Sequence, residues 1–105
     1  MKSIAIVSIS LIASLGFVYA GEAEGKALFA AKCQPCHGPN GEGKAAIAKM
    51  FNVTMQPLGS KEIQAKSDAD FKKIITTGKG KMKPVAGLTD AQMSDIIAHV
   101  RTLKQ

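Results

Sequence analysis

The stretch Cys33-Gln34-Pro35-Cys36-His37, "CQPCH", decides how the rest of the chain is read. Two cysteines three positions apart, with a histidine directly after the second, fit a redox dithiol, half of a metal site, or the covalent anchor of a haem. A structural zinc site needs four ligands. Beyond Cys33, Cys36 and His37 the chain holds one further histidine, His99, and no third cysteine. A thioredoxin-like pair also uses Cys-x-x-Cys, sometimes with a proline between as Pro35 is here, but it sits on a βαβ scaffold and no strand pattern precedes this motif. A plain disulfide is strained at this spacing. Haem attachment uses every residue present: the thiols stand about one helical turn apart and add to two vinyl groups, and the next residue reaches the iron from the same side. Cys33 and Cys36 are read as the thioether residues and His37 as the proximal iron ligand.

The start of the chain agrees with an oxidising destination. "MKSIAIVSISLIASLGFVYAGE" has a positive head at Lys2, an apolar run from Ile4 to Val18, and small residues before Gly21. It reads as a secretory signal peptide, residues 1–20, cleaved after Ala20, with the mature domain running from 21 to 105. The alternative is a retained anchor, since the run is only slightly shorter than the roughly 18 apolar residues of a spanning helix. Val18 and Ala20 suit a signal peptidase, so export to the periplasm with no stable membrane insertion after cleavage is expected. In that compartment a free pair of close cysteines does not persist as thiols.

The chain of 105 residues is one domain. Without Lys2 the mature part keeps 13 Lys and Arg against 8 Asp and Glu, a formal +5, and its only aromatic residues are Phe29, Phe51 and Phe71. So small a domain buries only about 60–65% of its unfolded surface and commonly needs a disulfide, a metal or another added core.

Helical periodicity dominates, so the class is all-α with substantial loops. A first helix is predicted over Glu22 to Lys32, with Gly25, Phe29, Cys33 and Cys36 on one face and the motif at its end. "GPNGEG", from Gly38 to Gly43, is a turn; Lys44 to Phe51 forms a short helix, and "NVTMQPLGS" is loop. A second clear helix starts at Ser67, its N-cap, with Asp68 and Asp70 complementing the dipole, Phe71, Ile74 and Ile75 as its buried stripe, and Gly78 as its stop. The third carries a Thr89/Gln92 capping box and a Leu88/Met93 staple, then buries Met93, Ile96, Ile97, Val100 and Leu103.

The sixth iron ligand separates an electron carrier from a haem that binds small molecules. Met50, Met55, Met82, Met93 and His99 are the candidates in the mature chain. Met93 belongs to the core stripe of the last helix, and His99, at the edge of that stripe, reads as packed or solvent-tipped. Met55 and Met82 both occur as Met-x-Pro. Met55 follows His37 by 18 residues, in a segment still skirting the ring edge, whereas Met82 follows it by 45, enough chain to reach the opposite face. Met82 is the expected distal ligand.

Taken together, "GKALFAAKCQPCHGPNGEG", "SDADFKKIITTGKGKM" and "LTDAQMSDIIAHVRTLK" make the chain similar to a class I cytochrome c of the small bacterial kind, over about Glu22 to Lys104. The resemblance implies three main helices plus loops around one covalently attached haem c per chain, with His37 and Met82 as axial ligands. It also implies that the first and last helices cross, Gly25 and Phe29 meeting the last helix near His99 and Val100. This sequence departs from the family pattern in three ways: Lys83 separates Met82 from Pro84, His99 stands where an aromatic ring is usual, and there is no Trp for a propionate.

The expected function is that of a periplasmic carrier of single electrons rather than an enzyme. Lys72, Lys73, Lys79, Lys81 and Lys83 gather around the methionine loop and suit redox partners with acidic docking surfaces, such as a dehydrogenase, oxidase or reductase; nucleic acid is a poor partner for an exported chain. The alternatives are a cytochrome subunit of a larger complex, a gas-binding or catalytic haem protein without Met82 on the iron, and a haem-free thiol oxidoreductase.

Overall fold

A computed structural model describes residues 21–105; the expected leader, 1–20, lies outside the described residues. The described chain contains helices α1 (Gly21–Lys32), α2 (Gln34–His37), α3 (Ala45–Phe51), α4 (Lys61–Gln64), α5 (Asp68–Thr77) and α6 (Asp90–Thr102). No β-strand occurs among the described residues, and a single isolated antiparallel bridge joins Lys79 to Met82. None of these helices is long and apolar enough to cross a membrane.

The fold is organised by the crossing of α1 and α6. Gly25 makes it possible: a Cβ there would lie 1.7 Å from the carbonyl oxygen of Asp95, so only glycine lets the two backbones approach this closely. One turn on, Phe29 is 1% exposed and packs with Ile96, Ile97, Val100 and Phe71 in the core. The expected meeting point is thus resolved into two: Gly25 against Asp95 and Ile96, and Phe29 against His99. Each fully buried side chain of this type contributes about 1.5–3 kcal/mol. With Ile75 and Met93 the described residues bury seven apolar side chains, a small core.

Local signals fix the ends of the long helices. In α6 the Gln92 N–H donates to Thr89 Oγ1 at 3.1 Å and the Thr89 N–H donates to Gln92 Oε1 at 2.9 Å, closing the capping box read from the sequence. In α5 the Ser67 cap is part of a second such box, with Asp70 as its return partner. The short α4 was not expected. Ser60 caps it, and side chains from distant positions hold it: Gln64 Nε2 donates to the carbonyls of Leu58 and Val100, both at 2.9 Å. Arg101 completes the joint, donating to the Gln64 and Lys66 carbonyls at 2.7 Å and to Asp68 Oδ1 at 2.8 Å, with its guanidinium 4.8 Å from the Phe71 ring centroid.

Candidate haem-binding site

The motif does not simply extend the first helix. The Cys33 N–H still donates to the Phe29 carbonyl at 2.8 Å, but at Cys33 φ is −113°, and the chain restarts as the separate turn α2. Pro35 sits in the first turn, where its missing N–H would have had no partner. The Cys33 carbonyl accepts from the Cys36 N–H at 3.2 Å and from the His37 N–H at 2.9 Å. Gly38, at φ 82°, turns the chain back. The Gly43 N–H then donates to the His37 carbonyl at 2.7 Å, and the Lys44 N–H to the Cys36 carbonyl at 3.1 Å. The backbone N–H and carbonyl groups of Cys33, Cys36 and His37 are thus all engaged, which leaves their side chains free for chemistry.

Both cysteines are free thiols, Cys33 half-buried and Cys36 exposed. Burial, and then the neighbouring Cys36, pushes the Cys33 thiol up to about 11, so it stays protonated and neutral near pH 7. Burial lowers the pKa of His37, favouring the neutral imidazole, the form that donates a lone pair to a metal. Its Nδ1 is buried without a hydrogen-bond partner. No group of three His, Cys, Asp or Glu side chains converges on a point among the described residues, so Cys33, Cys36 and His37 do not form a cage for a bare ion. Two sulfurs and one imidazole that do not share a focus fit a porphyrin, in which the sulfurs bond to the periphery and only the imidazole faces the metal.

The wall beyond the motif points the same way. Helix α3 has no buried residue despite its apolar "AAIAKMF" sequence, and Met50, Phe51 and Val53 are 66%, 38% and 37% exposed. Large apolar side chains left open over so short a stretch suit a surface that another apolar body covers. The residues present therefore fit a haem. The sequence reading missed this wall, although a short apolar helix directly after the motif's turn was its signal. Two clefts among the described residues lie elsewhere, one beside Gly59, Gln64 and Arg101 and the other between Glu24, Leu28 and Gln92.

The methionines separate by position. Met93 is 7% exposed and belongs to the core, as expected. A Cβ on Gly43 would stand 3.0 Å from the Met55 Cβ, so Met55 packs beside the loop that is bonded to the His37 carbonyl. Met82, half-buried, closes a tight turn: the Lys79 N–H donates to its carbonyl at 3.0 Å, and its own N–H donates to the Lys79 carbonyl at 2.9 Å. Gly78 makes room for that turn, since a Cβ there would lie 2.5 Å from the Met82 carbonyl oxygen. Of the lysines around it, Lys72 is tied to Asp90 at 3.0 Å.

The family model for cytochrome c matches residues 22–104 of the chain. Cytochrome c-554(547) of Halothiobacillus neapolitanus is 32% identical over 88 residues, covering 78% of this chain and 96% of that protein. The solved KustC0563 c-type cytochrome is 25% identical, with a TM-score of 0.66 over 77% of this chain and 98% of the other.

Proposed function

Because the chain belongs to the cytochrome c family, we propose that it is a periplasmic carrier of single electrons. In this reading it holds one haem c through thioether bonds from Cys33 and Cys36, with His37 and Met82 as axial ligands. The observation that carries the reading is the turn α2, which presents two free thiols and a neutral, half-buried imidazole with an unpartnered nitrogen. Family membership implies the covalent haem and the electron-carrying role; the single haem per chain, the ligand pair, the compartment and the partners are the proposal.

When bound, the haem supplies an iron centre that gains and loses one electron. His37 would give that iron a nitrogen donor from a helical turn in which its own N–H and carbonyl are already bonded. Met82 gives a thioether from a loop tied to α5, and such a ligand favours the ferrous state and raises the potential relative to a second nitrogen. With His37 and Met82 both holding the iron, the site would leave no place there for a substrate. In this reading Met50, Phe51 and Val53, which stand exposed, would cover the ring and keep water from it, which acts in the same direction on the potential. Met55 is the weaker candidate because it packs on the loop bonded to the His37 carbonyl.

The free cations of the methionine loop, Lys79, Lys81 and Lys83, together with Lys73, suit acidic surfaces on a dehydrogenase that donates electrons and an oxidase or reductase that accepts them. Absorption spectra of the haem-loaded protein test the reading. It requires a one-electron transition, a sulfur-to-iron charge-transfer band in the ferric form, and no rapid binding of carbon monoxide in the ferrous form. A five-coordinate or water-bound iron that takes up carbon monoxide at once would refute it.

A further inference from the structure

His99 is the one buried polar side chain in the core of the described residues, 6% exposed, and neither ring nitrogen has a hydrogen-bond partner. A buried polar group without a partner is costly, and a buried imidazolium without a counter-ion costs more. The ring lies in the seam where α1 and α6 cross, its centroid 5.1 Å from that of Phe29 and its plane tilted by 58°. A purely aromatic residue would fill the same space without that cost. What histidine adds is the ability to take a proton between about pH 5 and 8.

We infer that His99 is an acid-sensitive latch on the α1–α6 crossing. Neutral, it packs against Phe29 and holds the seam closed; protonated, it has no acceptor inside the seam, so it leaves or admits water and the two helices loosen. Gly25 makes this consequential, because the backbones at the neighbouring turn are already in contact and have no slack to absorb a shifted ring.

The charges that act on His99 come from α1: Lys26 opposes protonation and Glu22 favours it, and burial outweighs both in disfavouring the charged form. Cleavage after Ala20 would add the Gly21 ammonium next to Glu22, on the same side as Lys26. The α5 groups that reach α6 are engaged elsewhere, Asp68 with Arg101 and Lys72 with Asp90. On α6 itself, Asp95 lines the shallow cleft shared with Glu24 and Leu28, and Arg101 points to α4 and α5.

The sign follows from where the proton binds. Below the ordinary histidine value of about 6.5 the unfolded chain takes up a proton that the closed seam refuses. The stabilisation is complete above that pH and is lost as the pH falls below it, at a rate approaching tenfold in the folding constant per pH unit. The inference does not depend on the electron-carrier reading.

Urea unfolding of the haem-loaded protein from pH 8 to pH 5, for the wild type, His99→Phe and His99→Gln, tests it. The wild type should show the one-proton loss below pH 6.5, and both variants should lack that component. His99→Gln covers the case in which the larger ring does not pack. Retention of the wild-type slope in either folded variant would overturn the latch. Should neither variant fold, NMR titration of the His99 ring in the reduced wild type decides: a pKa at or above 6.5 overturns the latch, and a value below it supports the latch.

Discussion

The N–H of Val85 donates to the carbonyl of Ile75 at 2.8 Å, and this one bond moors the loop carrying Met82 to the end of α5. A side chain on a moored loop can serve as a fixed ligand, because little conformational entropy remains to be lost when it binds. Met82→Ala is expected to lose the sulfur-to-iron band, to let the ferrous protein bind carbon monoxide, and to lower the potential by on the order of 0.1–0.3 V, within the ~0.8 V range that axial ligands span. Met55→Ala should leave all three unchanged. The opposite pattern would assign the ligand to Met55.

The helix crossing should be intolerant of a single methyl group. Gly25→Ala places a carbon 1.7 Å from the Asp95 carbonyl oxygen, so α1 and α6 must separate. Overpacking of this kind costs about 1–3 kcal/mol, and here the obstacle is backbone, which puts the expected loss at or above the upper end. Chemical denaturation of the haem-loaded variant measures it.

The Ser67–Asp70 capping box should contribute a second acid-sensitive component. Its own hydrogen bonds with Ser67, with help from Lys66 and Lys73, lower the Asp70 pKa. The contribution is therefore full above the ordinary carboxylate range and disappears as the pH falls through the folded value, well below the range in which histidine titrates. Ser67→Ala should cost about 1 kcal/mol at neutral pH. Asp70→Asn should flatten the stability curve below pH 4 and leave its shape above pH 5 unchanged, as followed by circular dichroism.

Charge reversal around the methionine loop should slow encounters with acidic partners. Lys81→Glu or Lys83→Glu is expected to reduce the second-order rate at low salt by about tenfold, near the lower end of the 10–10³ range of electrostatic steering. That difference should shrink as salt rises. Lys72→Glu should act less through steering, because Asp90 already neutralises Lys72. Stopped-flow reduction of an acidic acceptor at several ionic strengths makes the comparison.

How much of this was legible in the sequence depends on the range of the interactions involved. Helix α6 was readable because Thr89, Gln92 and the stripe beginning at Met93 are all local signals. Helix α4 was not: four residues carry no periodicity, and it is held by Gln64 reaching Val100 and by Arg101 reaching Gln64 and Lys66, pairings 35 to 37 positions apart. The break at Cys33 was hidden for a related reason. Spacing alone does not distinguish a helix that continues through the motif from one that restarts on it. His99 follows Ile96 by three positions and so shared the buried face, but its burial without a partner depends on Phe29 and α1.

The central claim is that the exported chain carries haem bonded to Cys33 and Cys36, and the intact mass of the protein after secretion tests it most directly. The account predicts the polypeptide from Gly21 to Gln105 plus one haem, reduced to bare polypeptide when both Cys33 and Cys36 are changed to Ala. A wild-type mass equal to that of the amino acids alone, from protein made where haem is supplied and attached, would contradict it.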